Sequence, residues 1–596
     1  MSEIVGYIGK KNALPILIEK MKQMSFKEYD SSGILVLSDN KAILVKVVGR
    51  LENLEKKLKN KKIEGNIGLG HLRWASVGRV ITKNAHPHFD CKKEIFLVHS
   101  GMIENHKELR RQLIKEGHIL SSETDSELIC HLIENYFQGN LEEAVKKTIQ
   151  KIRGAYAFVV VSRKDPQKIV AVKFSSPLFF GKVKDGILIA SDKSIFTKFK
   201  PIETKDGEII VFRRDKFHIL KERINFQSEN LDKGIYPHFM LKEIFEEPEI
   251  IENVIRGRVI LEKGMVKFGG LDALKEKLKK INNLILIGCG SSFYAAKFGE
   301  ILLQEYAKIN ARSEIASEFR YLDPFLNKST AVISISQSGE STDTLAVLKK
   351  MKEKGMMTIG ITNVISSSQA KETDAGIYLR AGTEIAVAST KTFLSQLITL
   401  VMLTIYFGRQ RSMDLKTSKR ILQELIKTSN FIREILNRRS EIEKLAKKYQ
   451  EFKNFYVLGM KYNFPIALEG ALKLKEVSYL HAEGICGGEL KHGPIALIDK
   501  NFLTIAICPS DSVYDKMKSN LQEIKKGNGL VIAIATQGNR EIQKLADDVF
   551  YIPKTLEILT PILTVIPLQL LSYYFAVLLK REIDKPRNLV KSVIEK

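Results

Sequence analysis

Two short loops and one helix hold the residue types from which chemistry can be built. Residues 288–292 (GCGSS) and 336–341 (SQSGES) each follow an apolar, strand-like run and are rich in small hydroxyl side chains. Ser291, Ser292, Ser336, Gln337, Ser338 and Ser341, together with backbone N–H groups at the start of a helix, supply what a phosphate needs: several donors converging without bulk. Ordinary strand-to-helix turns with serine caps carry the same residues. Neither loop matches GxxxxGKS or GxGxxG, so an ATP or dinucleotide site is not expected. Farther along, Pro465 opens a helix on which Lys473 and Glu476 share a face, and a glycine-flanked run at 487–494 (GGELKHGP) carries His492. Carboxylate, imidazole and amine are the set that interconverts ketoses and aldoses. A base moves a proton between carbons, an acid opens the ring, and an amine holds the carbonyl. Lys473 and Glu476 taken alone read as a solvated helical ion pair.

The elements that must position these groups follow from periodicity. Up to about residue 235 short alternating strands such as 43–48 and 157–161 are interleaved with helices such as 104–116, the pattern of an α+β layered domain. Residues 242–263 are charged and helical in character, which suits a connector. Beyond residue 283 apolar strand-length runs alternate with amphipathic helices, as in parallel sheets covered on both faces. The pattern repeats: 284–287 recurs at 455–458 and 331–336 at 502–507, by the same offset, and 357–362 recurs at 531–536. Two copies of one open-sheet domain are the economical reading. Ligands in such sheets sit in crevices at the carboxyl ends of the strands.

The chain has 596 residues, too many for a single core, with 44% hydrophobic and 27% charged residues. A net charge of +25 favours anionic partners, but the basic residues are spread along the chain as a solvated surface. Nucleic acid is therefore not an expected partner. The five cysteines, 91, 130, 289, 486 and 508, lack metal-ligand spacing and disulfide density, so a reducing cytoplasm is expected and no metal site is. No signal peptide is read at the N-terminus. Residues 558–579 are uncharged for about a membrane thickness, but two prolines, Gln569, Ser572 and two tyrosines interrupt them. They read as a loop and a buried core helix, not as a membrane span.

At this point the sequence resembles the glutamine:fructose-6-phosphate aminotransferase (glucosamine-6-phosphate synthase) family from end to end. The resemblance rests on residues 334–344 (SISQSGESTDT), 381–392 (AGTEIAVASTKT), 465–476 (PIALEGALKLKE), 488–494 (GELKHGP) and 586–593 (PRNLVKSV). It implies that Ser292, Ser336, Gln337, Ser338 and Ser341 hold the sugar phosphate. Glu476 would shuttle the proton between C1 and C2, and Lys591 would form a Schiff base with the ketose. His492 would assist ring opening from the neighbouring subunit of a homodimer. Ser389, with the backbone of Val387 and Val590, would line the sugar hydroxyls.

The front domain resembles the family's glutaminase at 71–76 (HLRWAS), 84–88 (NAHPH), 99–106 (HSGMIENH) and 122–125 (SETD). Arg73 and Asp125 would clamp glutamine and Trp74 would gate an ammonia passage. The nucleophile is a departure: the family has cysteine after the initiator methionine, whereas this chain reads Met1-Ser2-Glu3. Serine has almost no alkoxide near neutral pH, although it serves in other N-terminal nucleophile enzymes. The family's HNG, whose asparagine donates to the oxyanion, is His99-Ser100-Gly101 here, and losing such a donor typically costs about 100- to 1,000-fold in rate. Glu3 replaces a glycine, and Lys27-Glu28 stand where the family has Arg-Gly.

The expected architecture is α/β. An N-terminal-nucleophile, class II glutamine amidotransferase-like domain spans 1–235 and a linker 236–274. Two doubly wound sugar isomerase (SIS) domains follow at 275–420 and 445–585, with a catalytic tail at 586–596. The expected reaction joins fructose 6-phosphate and an amino donor into glucosamine 6-phosphate without metal or organic cofactor. Glutamine hydrolysis is expected to be weak or absent, leaving ammonia, free or from a partner glutaminase, as donor. The competing readings are a plain sugar-phosphate isomerase or glucosamine-6-phosphate deaminase, and a non-catalytic sugar-phosphate sensor.

Overall fold

The computed structural model describes residues 2–24, 29–38, 41–74, 77–174, 176–196, 200–214, 216–221, 233–365 and 367–591. The chain separates into two compact units, Met1–Asp232 and Lys233–Lys596.

The front unit is built on two antiparallel sheets of seven and six strands. Alternation along each strand sends one set of side chains between the sheets and the other toward helices. Ile4, Leu35, Val98, Val159 and Phe212 meet in the layer between the sheets. One outer layer packs the helices Ala13–Met24 and Leu51–Leu58 on the first sheet. The other packs the helices His106–Lys115, Ser126–Tyr136 and Leu141–Ile149 on the second. The strands expected near 43–48 and 157–161 occur as Lys41–Val48 and Gly154–Ser162. Strand Glu3–Gly9 runs buried between Gly186–Ala190 and Ile67–Arg73, which fixes the residue just before it, Ser2, at the sheet's end.

The rear unit contains two five-stranded parallel sheets in which the strands follow the same spatial order, second-first-third-fourth-fifth. This is the doubly wound order in which the chain leaves in opposite directions from neighbouring strands and opens a crevice. Strands Asn283–Gly288 and Thr330–Ser336 are hydrogen-bonded neighbours in the first sheet, as Asn454–Gly459 and Leu503–Cys508 are in the second. The strands read as apolar runs because both faces of each sheet are covered.

Two expectations are corrected. Helix Phe239–Ile255 is no solvated connector: Met240, Ile244, Ile251 and Val254 are buried in the rear unit's core. The apolar spacing for this was present, but the charged residues between masked it. Residues 558–579 are not a loop followed by a helix. Apart from one short turn they form a single helix, Thr560–Leu578, with Pro561 in its first turn, where no N–H is required. Pro567 lies inside and forfeits one backbone bond. Thr560 to Ala576 are all buried, so the apolar length is that of a core helix. A second helix, Lys391–Gly408, is also long and apolar enough to cross a membrane, and all of it is buried.

Phe575 of the core helix is fully buried and its ring lies 5.4 Å from that of Phe455 on the second sheet. Phe575→Ala is expected to lower the unfolding free energy by about 3–5 kcal/mol. Urea denaturation followed by circular dichroism reads this as an earlier transition, and an unchanged midpoint would remove the helix from the core.

Candidate active sites

In the rear unit the helix Phe464–Lys473 continues into a π-helical turn, Leu474–Ser478, and stops at Tyr479, whose φ is +60°. Such widened turns recur at functional sites because they redirect side chains. Glu469 and Glu476 here flank Lys473, which is 1% exposed. Lys473 pairs with Glu469 at 3.4 Å and more closely with Glu476. Burial disfavours its ammonium, but the two carboxylates outweigh that and hold its pKa above the ordinary lysine value. Burial pushes Glu469 up to about 7. The Glu476 side chain retains 20% exposure, so of the three it is the group open to a ligand.

The network reaches the first sheet. Ser291 Oγ donates to Glu469 Oε1 at 3.0 Å, and Lys473 Nζ donates to Ser291 Oγ at 3.4 Å. Ser292 Oγ accepts from Gln396 Nε2 at 2.9 Å. In the neighbouring loop Ser336 Oγ accepts from Gly339 N at 3.0 Å and Ser338 Oγ from Glu340 N at 3.1 Å. Gly339 has φ +69°, and a Cβ there would come 2.3 Å from Ser367 Oγ, so this turn requires glycine. The serine-cap reading is not what the structure shows. Gly290 occupies the cap of the helix Ser291–Ala307, and Ser341 precedes Thr342–Glu353 without a side-chain cap bond. Gln337, Ser338 and Ser341 are half-buried, and the two loops open side by side at the carboxyl ends of paired strands.

The C-terminal tail crosses both halves of this unit. Asp584 accepts from Phe239 N and Met240 N at 3.0 Å, capping that helix, while its carbonyl accepts from Val387 N at 3.0 Å. Arg587 N donates to Tyr479 Oη at 2.9 Å, and its guanidinium lies 4.4 Å from the Tyr479 ring centre. Lys591 Nζ then donates to Glu384 Oε2 at 2.7 Å and to Ala386 O at 2.6 Å. Burial would raise the Glu384 carboxyl, but Lys591 and the N–H groups of Thr390 and Thr392, each at 3.0 Å, hold its pKa down. Lys591 lies four steps along the chain from Arg587, a span of at most about 14 Å. The tail thus ties the turn after Glu476 to the loop holding Val387 and half-buried Ser389. Val590 is 65% exposed. His492 is exposed and joins no part of this network. Sequence reasoning missed Glu469 and Glu384. Glu469 stands one turn before Lys473 on the same face, so its signal was present.

In the front unit one small pocket is lined by Ser2, Arg73, Trp74, Gly101 and Asp125, with His86 and His99. Trp74 N donates to Ser2 Oγ at 3.0 Å. The Arg73 guanidinium donates to Val77 O at 2.7 Å, and Asp125 Oδ2 accepts from Ile103 N at 2.8 Å. Gly101 has φ +134°, and a Cβ would meet Ala155 O at 2.1 Å. Ser100 does not line the pocket: its hydroxyl donates to the carbonyl of Ser2 at 2.7 Å. Glu3 also points elsewhere, toward Ser191 Oγ at 2.6 Å and Tyr29 Oη at 3.3 Å. Lys27 and Glu28 lie outside the described residues. The buried histidines here were not foreseen. Burial holds His71 down to about 3 and lowers His86 and His99, of which His86 and His99 line the pocket.

The family description "SIS domain" matches residues 277–406 and 448–579, and "Glutamine amidotransferase domain" matches residues 71–198. Glutamine–fructose-6-phosphate aminotransferase (isomerizing) from Chlorobaculum tepidum is 42% identical over 612 residues, covering 100% of both chains. The protein of the same name from Clostridium tetani is 40% identical over 606 residues, again with 100% of both chains covered. Among solved structures, the C-terminal domain of glucosamine-fructose-6-phosphate aminotransferase from Francisella tularensis matches with a TM-score of 0.57 and 36% identity, covering 60% of this chain and 100% of that one. An amidotransferase domain followed by two SIS domains, with this similarity from end to end, makes the chain a member of the glutamine–fructose-6-phosphate aminotransferase (isomerizing) family of enzymes.

Proposed function

We propose that the rear unit converts fructose 6-phosphate and an amino donor into glucosamine 6-phosphate. The observation that supports this reading is the tail, which bonds Tyr479, three residues after Glu476, through Arg587 N and bonds Glu384 and Ala386, in the loop that holds Val387 and Ser389, through Lys591 Nζ. Ser292, Ser336, Gln337, Ser338 and Ser341 hold the phosphate with hydroxyl and backbone donors, Ser291 extends the same loop, and helix N-termini stand behind them. Val387, Ser389 and Val590 line the sugar. Lys591 loses a proton, which Glu384 is placed to accept, and its Nζ attacks C2 of the open ketose with loss of water. The incoming amine replaces lysine on C2. Glu476 takes a proton from C1 and returns it to C2, while the C1 hydroxyl proton is lost and the C2 nitrogen gains one, leaving an aldehyde at C1 and an amine at C2. Lys473 holds Glu476 in position.

His492, exposed on a turn, supports the reading that it serves the site of a second copy in a homodimer. Free thiols at all five cysteines support a reducing compartment such as the cytoplasm. Small sugar-phosphate and nitrogen-bearing molecules are the partners in this reading.

For the nitrogen we propose that glutamine is a poor donor. Ser2 Oγ is bonded to the Trp74 backbone, and the Ser100 hydroxyl is spent on Ser2's own carbonyl. Neither group offers what amide cleavage needs, a strong nucleophile or an oxyanion donor. Ammonia, free or from a separate glutaminase, then supplies the reaction.

Lys591→Ala should abolish glucosamine 6-phosphate formation from fructose 6-phosphate and ammonium, and Glu476→Gln should slow it by about 100- to 10,000-fold. Wild-type turnover in Lys591→Ala would sink the assignment. Separate feeds of amide-labelled glutamine and labelled ammonium, read by mass spectrometry of the product, should show label from ammonium. Efficient transfer from glutamine by the pure protein would overturn the proposal for the front pocket.

A further inference from the structure

Away from the pocket, the front unit gathers four donor atoms that the sequence spacing did not reveal. Cys91, His118, His131 and Glu134 each offer one atom to a single cluster. Cys91 Sγ lies 3.4 Å from His118 Nδ1 and 3.4 Å from His131 Nδ1. The two Nδ1 atoms are 3.2 Å apart, and Glu134 Oε2 is 3.2 Å from His118 Nδ1 and 3.3 Å from His131 Nδ1. Ligands about 2.0–2.3 Å from a tetrahedral zinc lie about 3.3–3.6 Å from one another. Five of the six edges of the cluster therefore already match those of a zinc shell closely, and the sixth, from Cys91 Sγ to Glu134, lies within 4.8 Å.

The surroundings fix which ring nitrogens face inward as bare acceptors. Asn135 Nδ2 donates to Glu116 Oε2 at 2.8 Å, which turns Asn135 Oδ1 toward His118 Nε2 at 2.7 Å. His118 therefore carries its proton on Nε2 and presents a lone pair at Nδ1. His131 Nε2 faces Glu127 Oε1 at 3.8 Å, both side chains being 1% exposed. A proton on Nε2 suits that carboxylate and again leaves Nδ1 bare. Outer partners of this kind orient metal-binding histidines. Without a cation, two lone pairs would face each other at 3.2 Å unless one ring were doubly protonated.

The backbone presents the same four residues rigidly. Asp90 Oδ1 accepts from Glu94 N and Ile95 N at 2.7 and 2.9 Å, shaping the turn that holds Cys91. His118 N donates to Leu113 O at 3.0 Å and Gly117 N to Ile114 O at 3.1 Å, a glycine-terminated helix end that aims His118 back at the cluster. His131 and Glu134 stand on one face of the helix Ser126–Tyr136.

We propose that Cys91, His118, His131 and Glu134 form a structural zinc site. A thiolate and a carboxylate cancel the charge of Zn2+, and four protein ligands leave no open position for chemistry. Binding exchanges the Cys91 thiol proton, released to solvent, for the metal–sulfur bond. The ion clamps the 90–94 turn and the end of the helix His106–Lys115 to the helix that starts directly after Asp125. It thereby steadies the pocket's edge without touching it.

The test uses tag-free full-length protein stripped with chelator and titrated with Zn2+ or Co2+. Wild type should bind about one equivalent, and Co2+ should give the strong visible bands of a tetrahedral site with a thiolate charge-transfer band. Cys91→Ser and His131→Asn should lose the charge-transfer band and most of the bound metal, while Cys289→Ser keeps both. Zinc should raise the thermal midpoint of wild type and not of Cys91→Ser. If the variants misfold, the cobalt spectrum of wild type decides alone. No thiolate band, or full metal retention in folded Cys91→Ser, would overturn the site.

Discussion

A lysine ammonium removed from water survives only where opposite charge surrounds it, and Lys473 meets that condition between Glu469 and Glu476. Breaking such a buried set by removing one member costs about 3–5 kcal/mol, because it leaves a charge uncompensated. The constraint reaches beyond the helix. Ser291, on a loop of the first sheet, completes the hydrogen bonding of the set, so the buried charges of one half of the rear unit are solvated in part by the other. In the proposed function, the loop that holds phosphate and the helix that carries the proton-transfer carboxylate are therefore linked through one buried cation.

The two sheets have the same strand order and yet hold different parts. In the first, glycine and serine follow the strands, leaving space and donors. In the second, the corresponding strand leads into a helix lined with carboxylates and lysine. Duplication gives two sheets of like topology whose loops have diverged, and in the proposed function the first lobe grips the anion while the second works on the carbonyl. The tail then joins them, bonded to Tyr479 at one end and to Glu384 at the other.

What the sequence made legible was local and periodic. The repeated strands could be read because burial on both faces turns them into apolar runs, and the serine loops because they directly follow those runs. The helix Phe239–Ile255 was misread because charged residues interrupt its buried stripe, with Glu243 and Glu247 themselves buried. Glu384 was overlooked because its value as Lys591's partner depends on a fold-back across the whole unit. Glu3 and Ser100 were visible as departures, but only coordinates show that neither faces the pocket. The cysteine, histidine and glutamate cluster escaped for a related reason. Its members come from a turn, a helix end and a helix face, so no compact spacing announces it.

Lys591 stands near the end of a chain of 596 residues and reaches back to a loop more than two hundred positions earlier. A contact of that sequence separation is costly in loop entropy to close early, so the ion pair is expected to form late in folding, once the sheet between its two ends is in place.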